Sequence, residues 1–391
     1  TKIWSVFLMK IPAIVLLPSL CLAGPDDAFV TPAENLSEAP ISPLSNIFSG
    51  IQRFDQEFDF LKASDVSVWR TSSSYRQERS DWNIQASVGY TDLSIDYTDP
   101  TGSTNTSHRN TDSWSGSITL GKDLSDNLST TVGFSVYDGF NDYASLWISE
   151  YYDQFVGLND PTNYQTADPQ GYAFNTGLVW DYDPGVSRLS LALSYGNDQI
   201  VPAWSAVPDP ITFIPKATPT RDSFDTYTGT LTWSKALSPS LKTQVTFRYS
   251  DVTELEPRYQ LQSDWAWAIT DDLTLRSQIG GSVQDPDFEA VYGGLSLEYD
   301  LTNHWSVGLS ARYYYDSGEV VPIGFNTAAP KVTSTELSAS VAWKNINTTM
   351  RLSTGIYDVD YGQLPPANQF FSDLYRDRSF TLGRLAISHQ F

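Results

Sequence analysis

RSFTLGRLAISHQF, residues 378–391, closes the chain and decides how the rest is read. Thr381, Gly383, Leu385, Ile387, His389 and Phe391 occupy every second position. Leu382, Arg384, Ala386, Ser388 and Gln390, a mostly polar set, fall between them. In an extended chain successive side chains point to opposite faces, so period-2 alternation of this length predicts a strand with one apolar and one wet face. The segment ends on an aromatic carboxy-terminal residue.

Working back from this end, the same pattern repeats. Trp82, Ile84, Ala86, Val88 and Tyr90 alternate with Asn83, Gln85, Ser87 and Gly89. Similar segments recur at 113–123, 128–138, 171–182, 186–196, 223–235, 241–252, 257–269, 273–284, 290–301, 305–315, 332–344 and 348–359. With 378–391 this predicts fourteen strands, each long enough to cross a bilayer when tilted, which takes about 9–11 residues. Their connections sort by length. Short joints at Leu124–Asn127, Asp183–Gly185, Ala236–Ser240, Thr270–Asp272, Thr302–His304 and Asn345–Asn347 alternate with longer ones, the longest at 139–170 and 197–222. Short turns on one side, longer loops on the other and an even strand count predict an all-β, closed antiparallel transmembrane barrel over residues 81–391. Trp180, Trp233, Trp267, Trp305 and Trp343 sit near the short turns on the apolar face, where a periplasmic aromatic girdle would lie. Tyr195, Tyr249, Tyr259 and Tyr313 would form the outer girdle.

The C-terminal segment resembles the terminal-strand signal of bacterial outer-membrane β-barrels through Gly383, Leu385, Ile387 and Phe391. His389 stands where an aromatic or apolar residue is more usual in that signal. The resemblance implies a porin-like protein of a Gram-negative outer membrane, inserted by the barrel assembly machinery. It also implies contact with outer-membrane lipid and lipopolysaccharide. It covers residues 81–391 in architecture and carries no subfamily motif. Fatty-acid transporters of the fourteen-stranded type are similar in strand number, but their N-terminal plug is more substantial than residues 24–80.

The front of the chain reads differently. Met9-Lys10, the apolar run Ile11–Leu20 and Cys21-Leu22-Ala23 predict a secretory signal peptide over 1–23, cleaved after Ala23. Leu20 is too bulky for a lipoprotein site at Cys21, and cleavage removes the only cysteine. Residues 24–46, proline-bearing and without periodicity, read as a linker. Ile47, Ile51, Phe54, Phe58 and Leu61 fall at helical spacing with Arg53, Asp55, Glu57 and Asp59 between them. This predicts an amphipathic helix within a 47–80 segment that either packs on the periplasmic rim or plugs the lumen.

The charge balance is acidic, with 46 Asp+Glu against 24 Lys+Arg, a net charge of −22. Loss of Lys2 and Lys10 with the signal deepens it by two. Nucleic-acid binding requires a basic footprint, so it is excluded as an expected partner. Past the signal, no stretch approaches the roughly 18 apolar residues of a transmembrane helix.

If the apolar set faces lipid, the other set faces a lumen. That set includes Thr226, Thr228, Thr230, Thr232, Gln244, Thr246, Gln260, Gln262, Ser306, Ser310, Ser338, Ser340 and Ser353. Arg188, Arg248, Arg276, Arg312, Arg351 and Arg384 share it with the acids Asp264, Glu298 and Glu336. Neighbouring strands could pair Arg276 with Glu298, Arg312 with Glu336 and Arg248 with Asp264. Arg248, Arg276, Arg312, Arg351 and Arg384 with Glu298 and Glu336 would form a lumen constriction, with Arg351 and Arg384 unpaired on adjacent strands and a mild anion preference controlled by Arg384, Arg351 and Arg312. Acids concentrate in the loops, but no spacing matches a defined Ca²⁺ loop, and no metal or cofactor is expected.

Of the three histidines, His108 falls in a Ser/Thr/Asn-rich loop and His389 on the lipid face. His304-Trp305-Ser306 superficially resembles the His-x-Ser pair of the outer-membrane phospholipase family, but at a periplasmic turn. No nucleophile–base–orienter set assembles, and a non-enzyme is expected. The expected function is a channel for passive or weakly selective diffusion of small hydrophilic solutes. The alternative is a structural or adhesion barrel acting through loops 139–170 and 197–222.

Overall fold

The computed structural model describes residues 52–79, 81–98, 106–139, 170–208, 215–253, 255–285, 288–318, 320–321, 327–328, 330–363 and 375–391. The signal peptide, the linker and most of the loop at 139–170 lie outside them.

In chain order the strands are β1 (Gln52–Lys62), β2 (Val66–Glu78), β3 (Trp82–Thr98), β4 (Thr106–Ser125), β5 (Leu128–Gly139) and β6 (Gln170–Asp183). β7 (Ser187–Pro208), β8 (Pro215–Ser238), β9 (Leu241–Val252), β10 (Arg258–Ala268), β11 (Leu273–Gln284), β12 (Phe288–Asp300) and β13 (Trp305–Asp316) follow. β14 (Val320–Val321) and β15 (Thr327–Ala328) pair only with each other. β16 (Val332–Lys344), β17 (Thr348–Tyr361) and β18 (Arg378–Gln390) complete the chain. All except β14 and β15 form one closed antiparallel barrel of sixteen strands.

Sixteen replaces the fourteen expected from sequence, because the helix expected over 47–62 is strand over its described part, and residues 66–78 form a second additional strand. Phe54, Phe58 and Phe60 stand opposite His389, Leu385 and Gly383 on the lipid face of β18. Asp55, Glu57 and Asp59 therefore point inward. The four-residue spacing of Phe54 and Phe58 fits a helix as well as a strand, while Leu61, which continues the helical period, stands opposite Leu382 on the inner face, so periodicity misleads here. Pairing chooses. Without β1, one edge of β18 would present orphan amides and carbonyls to hydrocarbon, each costing several kcal/mol. β1 closes that edge over ten residue pairs, Arg53↔Gln390 to Lys62↔Thr381. β2 escapes the sequence reading for another reason: Thr71 and Ser73 interrupt its lipid face between Trp69 and Tyr75, and Ser67 opens it.

One side of the barrel carries short turns throughout. The six expected turns form there, joined by a seventh between β2 and β3. At Asp183-Pro184-Gly185-Val186 the Val186 amide donates to the Asp183 carbonyl at 2.9 Å, with Gly185 at φ 80°. Proline followed by a positive-φ glycine is the signature of a type II turn. The last strand ends on this side too, where the Phe391 amide donates to the Gln52 carbonyl at 2.9 Å.

The opposite rim is uneven. The β1–β2 connection spans only Ala63–Asp65, whereas β7 and β8 stay paired out to Pro208↔Pro215. Most of the expected loop at 197–222 is thus an extended hairpin, with an irregularity between Ile200 and Ala203.

The outer surface is apolar. Leu309 is 67%, Leu337 65% and Ile279 63% exposed. A contiguous belt of this kind is the surface a barrel presents to lipid rather than water. Trp305 faces Trp343 across β13 and β16 near the short turns, and the Trp233 Nε1 donates to the Tyr182 hydroxyl at 2.8 Å. Toward the other rim, Tyr195 stacks near Tyr227 at 5.3 Å and Tyr249 near Tyr259 at 5.5 Å.

Candidate lumenal site

Alternation fixes what faces inward, and most of it is hydroxyl, amide or charge. Inward residues on directly opposed positions interact. Ser310 and Ser338 hydroxyls lie 2.6 Å apart, Ser87 and Ser117 2.6 Å, and Thr232 and Thr246 3.3 Å. The wetted wall expected from sequence is therefore present.

The charged groups gather on β11–β13, β16–β18 and β1. Arg312 stands directly opposite Glu336, with Nη1 donating at 3.1 Å, and its side chain is only 7% exposed. Glu298 on β12 holds two arginines: Arg276 Nη1 donates to Oε2 at 2.9 Å and Arg351 Nη2 to Oε1 at 2.9 Å. The Ser306 hydroxyl also donates to Oε1, at 3.1 Å. Arg351 lies on β17, three strands round the ring from β12. The bridge passes Gly308, which stands opposite Glu298 and has no side chain to block it. Arg384 is clasped by Glu57 at 2.9 Å and by Asp59, both on β1, and Glu336 lies within electrostatic reach of it.

Of the expected pairs, Arg276–Glu298 and Arg312–Glu336 form. Arg248–Asp264 does not: Asp264 instead accepts from Gln262 Nε2 at 3.0 Å on both carboxylate oxygens. The two arginines expected to be unpaired, Arg351 and Arg384, are paired. Arg384 finds its acids on the strand that the sequence reading took for a helix. Arg351 finds its acid across a chord of the barrel that strand adjacency does not disclose.

On β10 and β12, Gln260, Gln262 and Tyr292 form an ordered uncharged patch of the lining. The Tyr292 ring lies across Gly280, where a Cβ would meet its hydroxyl oxygen at 2.4 Å. Gln260 Nε2 donates to that hydroxyl at 2.6 Å, and the hydroxyl donates to Gln262 Oε1 at 3.0 Å. Among the described residues, Arg248 has neither an ion pair nor a hydrogen bond from its side chain. It stands opposite Thr230 and Gln260 and within electrostatic reach of Tyr292.

At the outer end of the seam the inner face turns apolar. Phe380, Tyr357, Val359, Val332, Val66, Leu93, Ile95 and Tyr375 form a buried cluster. Above it Arg378, itself buried, donates through Nη2 to Asp65 at 2.9 Å and through Nε at 3.2 Å. Sequence reasoning missed this cluster because its members are inward-facing hydrophobes that break the alternation only locally, at the strand ends.

The terminal signal residues lie as their alternation requires. Gly383, Leu385 and Ile387 face outward beside β1 and β17, and Phe391 is 68% exposed with its ring 4.6 Å from His389 in an edge contact. His389 Nδ1 lies 2.9 Å from the Thr348 hydroxyl. His304 is turn-bound, its Nδ1 2.9 Å from the Lys344 carbonyl, while Ser306 serves Glu298. His108 pairs with Asp96 at 2.6 Å on the exposed outer side of β3 and β4. These placements bring no histidine to a lumenal serine.

No protein-family model and no curated protein sequence matches this chain. Solved structures do. CdiB from Acinetobacter baumannii is 9% identical with a TM-score of 0.50, over 86% of this chain and 60% of that one. The toluene transporter TodX from Pseudomonas putida is 11% identical with a TM-score of 0.43, over 94% of this chain and 93% of that one. A bacterial polysaccharide outer membrane secretin is 8% identical with a TM-score of 0.46, over 88% and 98%. These likenesses concern fold alone, and the fold is that of the bacterial outer-membrane β-barrels.

Proposed function

We propose that this protein is an outer-membrane channel through which small hydrophilic solutes diffuse passively or with weak selectivity. The observation that carries this reading is a polar inner face inside a closed sixteen-strand barrel whose outer face is apolar. Barrels of about eight strands fill with their own side chains, and those of 16–18 leave an aqueous path. In this reading the short turns and both ends of the barrel lie in the periplasm, and the acidic, longer connections face outward toward lipopolysaccharide. The barrel assembly machinery would recognise the terminal strand. The protein moves solutes rather than transforming them.

The test is reconstitution of the refolded barrel in liposomes and planar bilayers. Stepwise currents in KCl and swelling in isosmotic small sugars are expected. A barrel that is folded by heat-modifiable migration yet passes neither would overturn the channel reading.

A second reading rests on the β7–β8 hairpin. Its paired backbone continues 13 residues past Tyr195, which at about 3.3 Å per residue is on the order of 40 Å of strand. A projection of that length is a surface for an external partner. Deleting residues 203–218 would leave conductance intact and abolish surface binding if adhesion is the function.

A further inference from the structure

We infer that the lumenal wall around Arg248 is a weak binding site for carboxylate-bearing solutes, and that this arginine sets the channel's anion preference. The inference rests on the channel reading above for its role in transport, but not for the binding itself.

Two observations carry it. First, Arg248 points into the lumen from the middle of β9, and among the described residues no carboxylate and no hydrogen-bond acceptor holds its side chain. The lumenal arginines Arg188, Arg276, Arg312, Arg351 and Arg384 each have an acid at 3.1 Å or closer. The nearest acid on the adjacent strand, Asp264, lies four residues from Gln260, the position opposite Arg248. That is about 13 Å along the strand. Asp264 is also occupied by the Gln262 amide.

Second, the surface beside Arg248 is built rather than incidental. Tyr292 is fixed over Gly280 by hydrogen bonds at 2.6 Å from Gln260 and 3.0 Å to Gln262. The amide and phenol groups next to the guanidinium are thus held in place; Asp264, whose carboxylate also acts on Tyr292, accepts from Gln262 and makes no ion pair with Arg248. A planar guanidinium with free N–H groups matches the two oxygens of a carboxylate in a fork that an ammonium cannot make. At the centre of a lumen, where water is restricted, such a cation acts on passing anions more strongly than the distant loop acids, which salt screens over about 8–10 Å.

The experiment uses the full refolded barrel with chloride and acetate as probes. Wild type is expected to show a reversal potential favouring anions in a KCl gradient. Acetate added to one side is expected to interrupt chloride current. Arg248→Gln should lose the anion preference and shorten the acetate blocks by on the order of tenfold, the loss of a charge-assisted bidentate contact. Arg248→Lys should restore the reversal potential but not the long blocks. A conducting barrel whose acetate blocks are the same in wild type and Arg248→Gln overturns the site and leaves the channel standing. Acetate binding is also read without current, by saturation-transfer NMR on the refolded protein. Binding that Arg248→Gln abolishes in a barrel that does not conduct keeps the site and overturns the channel. Equal binding in both proteins overturns the site.

Discussion

Two walls of one barrel treat arginine in opposite ways. On β12, β13, β16–β18 and β1, each central guanidinium is matched by an acid, in one case across three strands. On β8–β10 the lining is mostly threonine and glutamine, with Lys242 and Asp264 the other charges, and Arg248 has no ion pair among the described residues. The difference teaches that a count of lumenal charges does not predict selectivity. A cation that is already neutralised braces the wall. A cation without an ion pair faces the solute.

The sharpest way to break the comparison is to make the same substitution on each side. Arg384→Gln removes the Arg384 cation from Glu57 and Asp59, neighbours on one face of β1. Arg384 is 18% exposed, so a partly buried clasp is being opened. The loss is expected to be about 2–3 kcal/mol in urea unfolding of the folded barrel, below the 3–5 of a fully buried pair. Arg248→Gln should shift the same unfolding curve by no more than about 0.5 kcal/mol. Equal effects would erase the distinction between the walls.

Glu298→Gln comes next. It removes the acid from both Arg276 and Arg351, and a loss of about 2 kcal/mol is expected. Because the bridge ties β12 to β17, a double-mutant cycle between Glu298 and Arg351 should give a coupling of at least 0.5 kcal/mol. A cycle between Glu298 and Arg248 should give none. Gly280→Ala is a smaller perturbation. Its Cβ would lie 2.4 Å from the Tyr292 hydroxyl oxygen, so the ring must move off Gln260 and Gln262. A cost of about 1 kcal/mol is expected, with shorter acetate blocks while the reversal potential is kept. The least effect on the finished barrel is expected from deleting Phe391. Export should continue and insertion into membranes slow, measured as the rate at which the heat-modifiable form appears. An unchanged rate would remove the terminal residue from the recognition signal.

Much of this architecture was legible in the sequence, because alternation writes one face of a strand for lipid and the other for water. The short turns, the Trp girdle and two of the three expected pairs between adjacent strands followed from it. The seam did not. Phe54 and Phe58 satisfy a helical period and a strand period together, Leu61 continues the helical one alone, and the unpaired edge of β18 decides for the strand. β2 shows too many hydroxyls outward to register as a lipid-facing strand. The Arg351–Glu298 bridge depends on how the wall curves back on itself, and strand order carries no such information. Arg384 was misjudged as a consequence of the first omission, since its acids were assigned to a segment outside the wall.

The rim has a further consequence. Ala63–Asp65 makes the β1–β2 edge low, held down by Arg378, while the β7–β8 hairpin stands on the far side of the ring. Among the described residues the rim is therefore tall at β7–β8 and low at β1–β2 and β11–β12: a bulky body approaching over the hairpin meets a wall that it does not meet at the low edges.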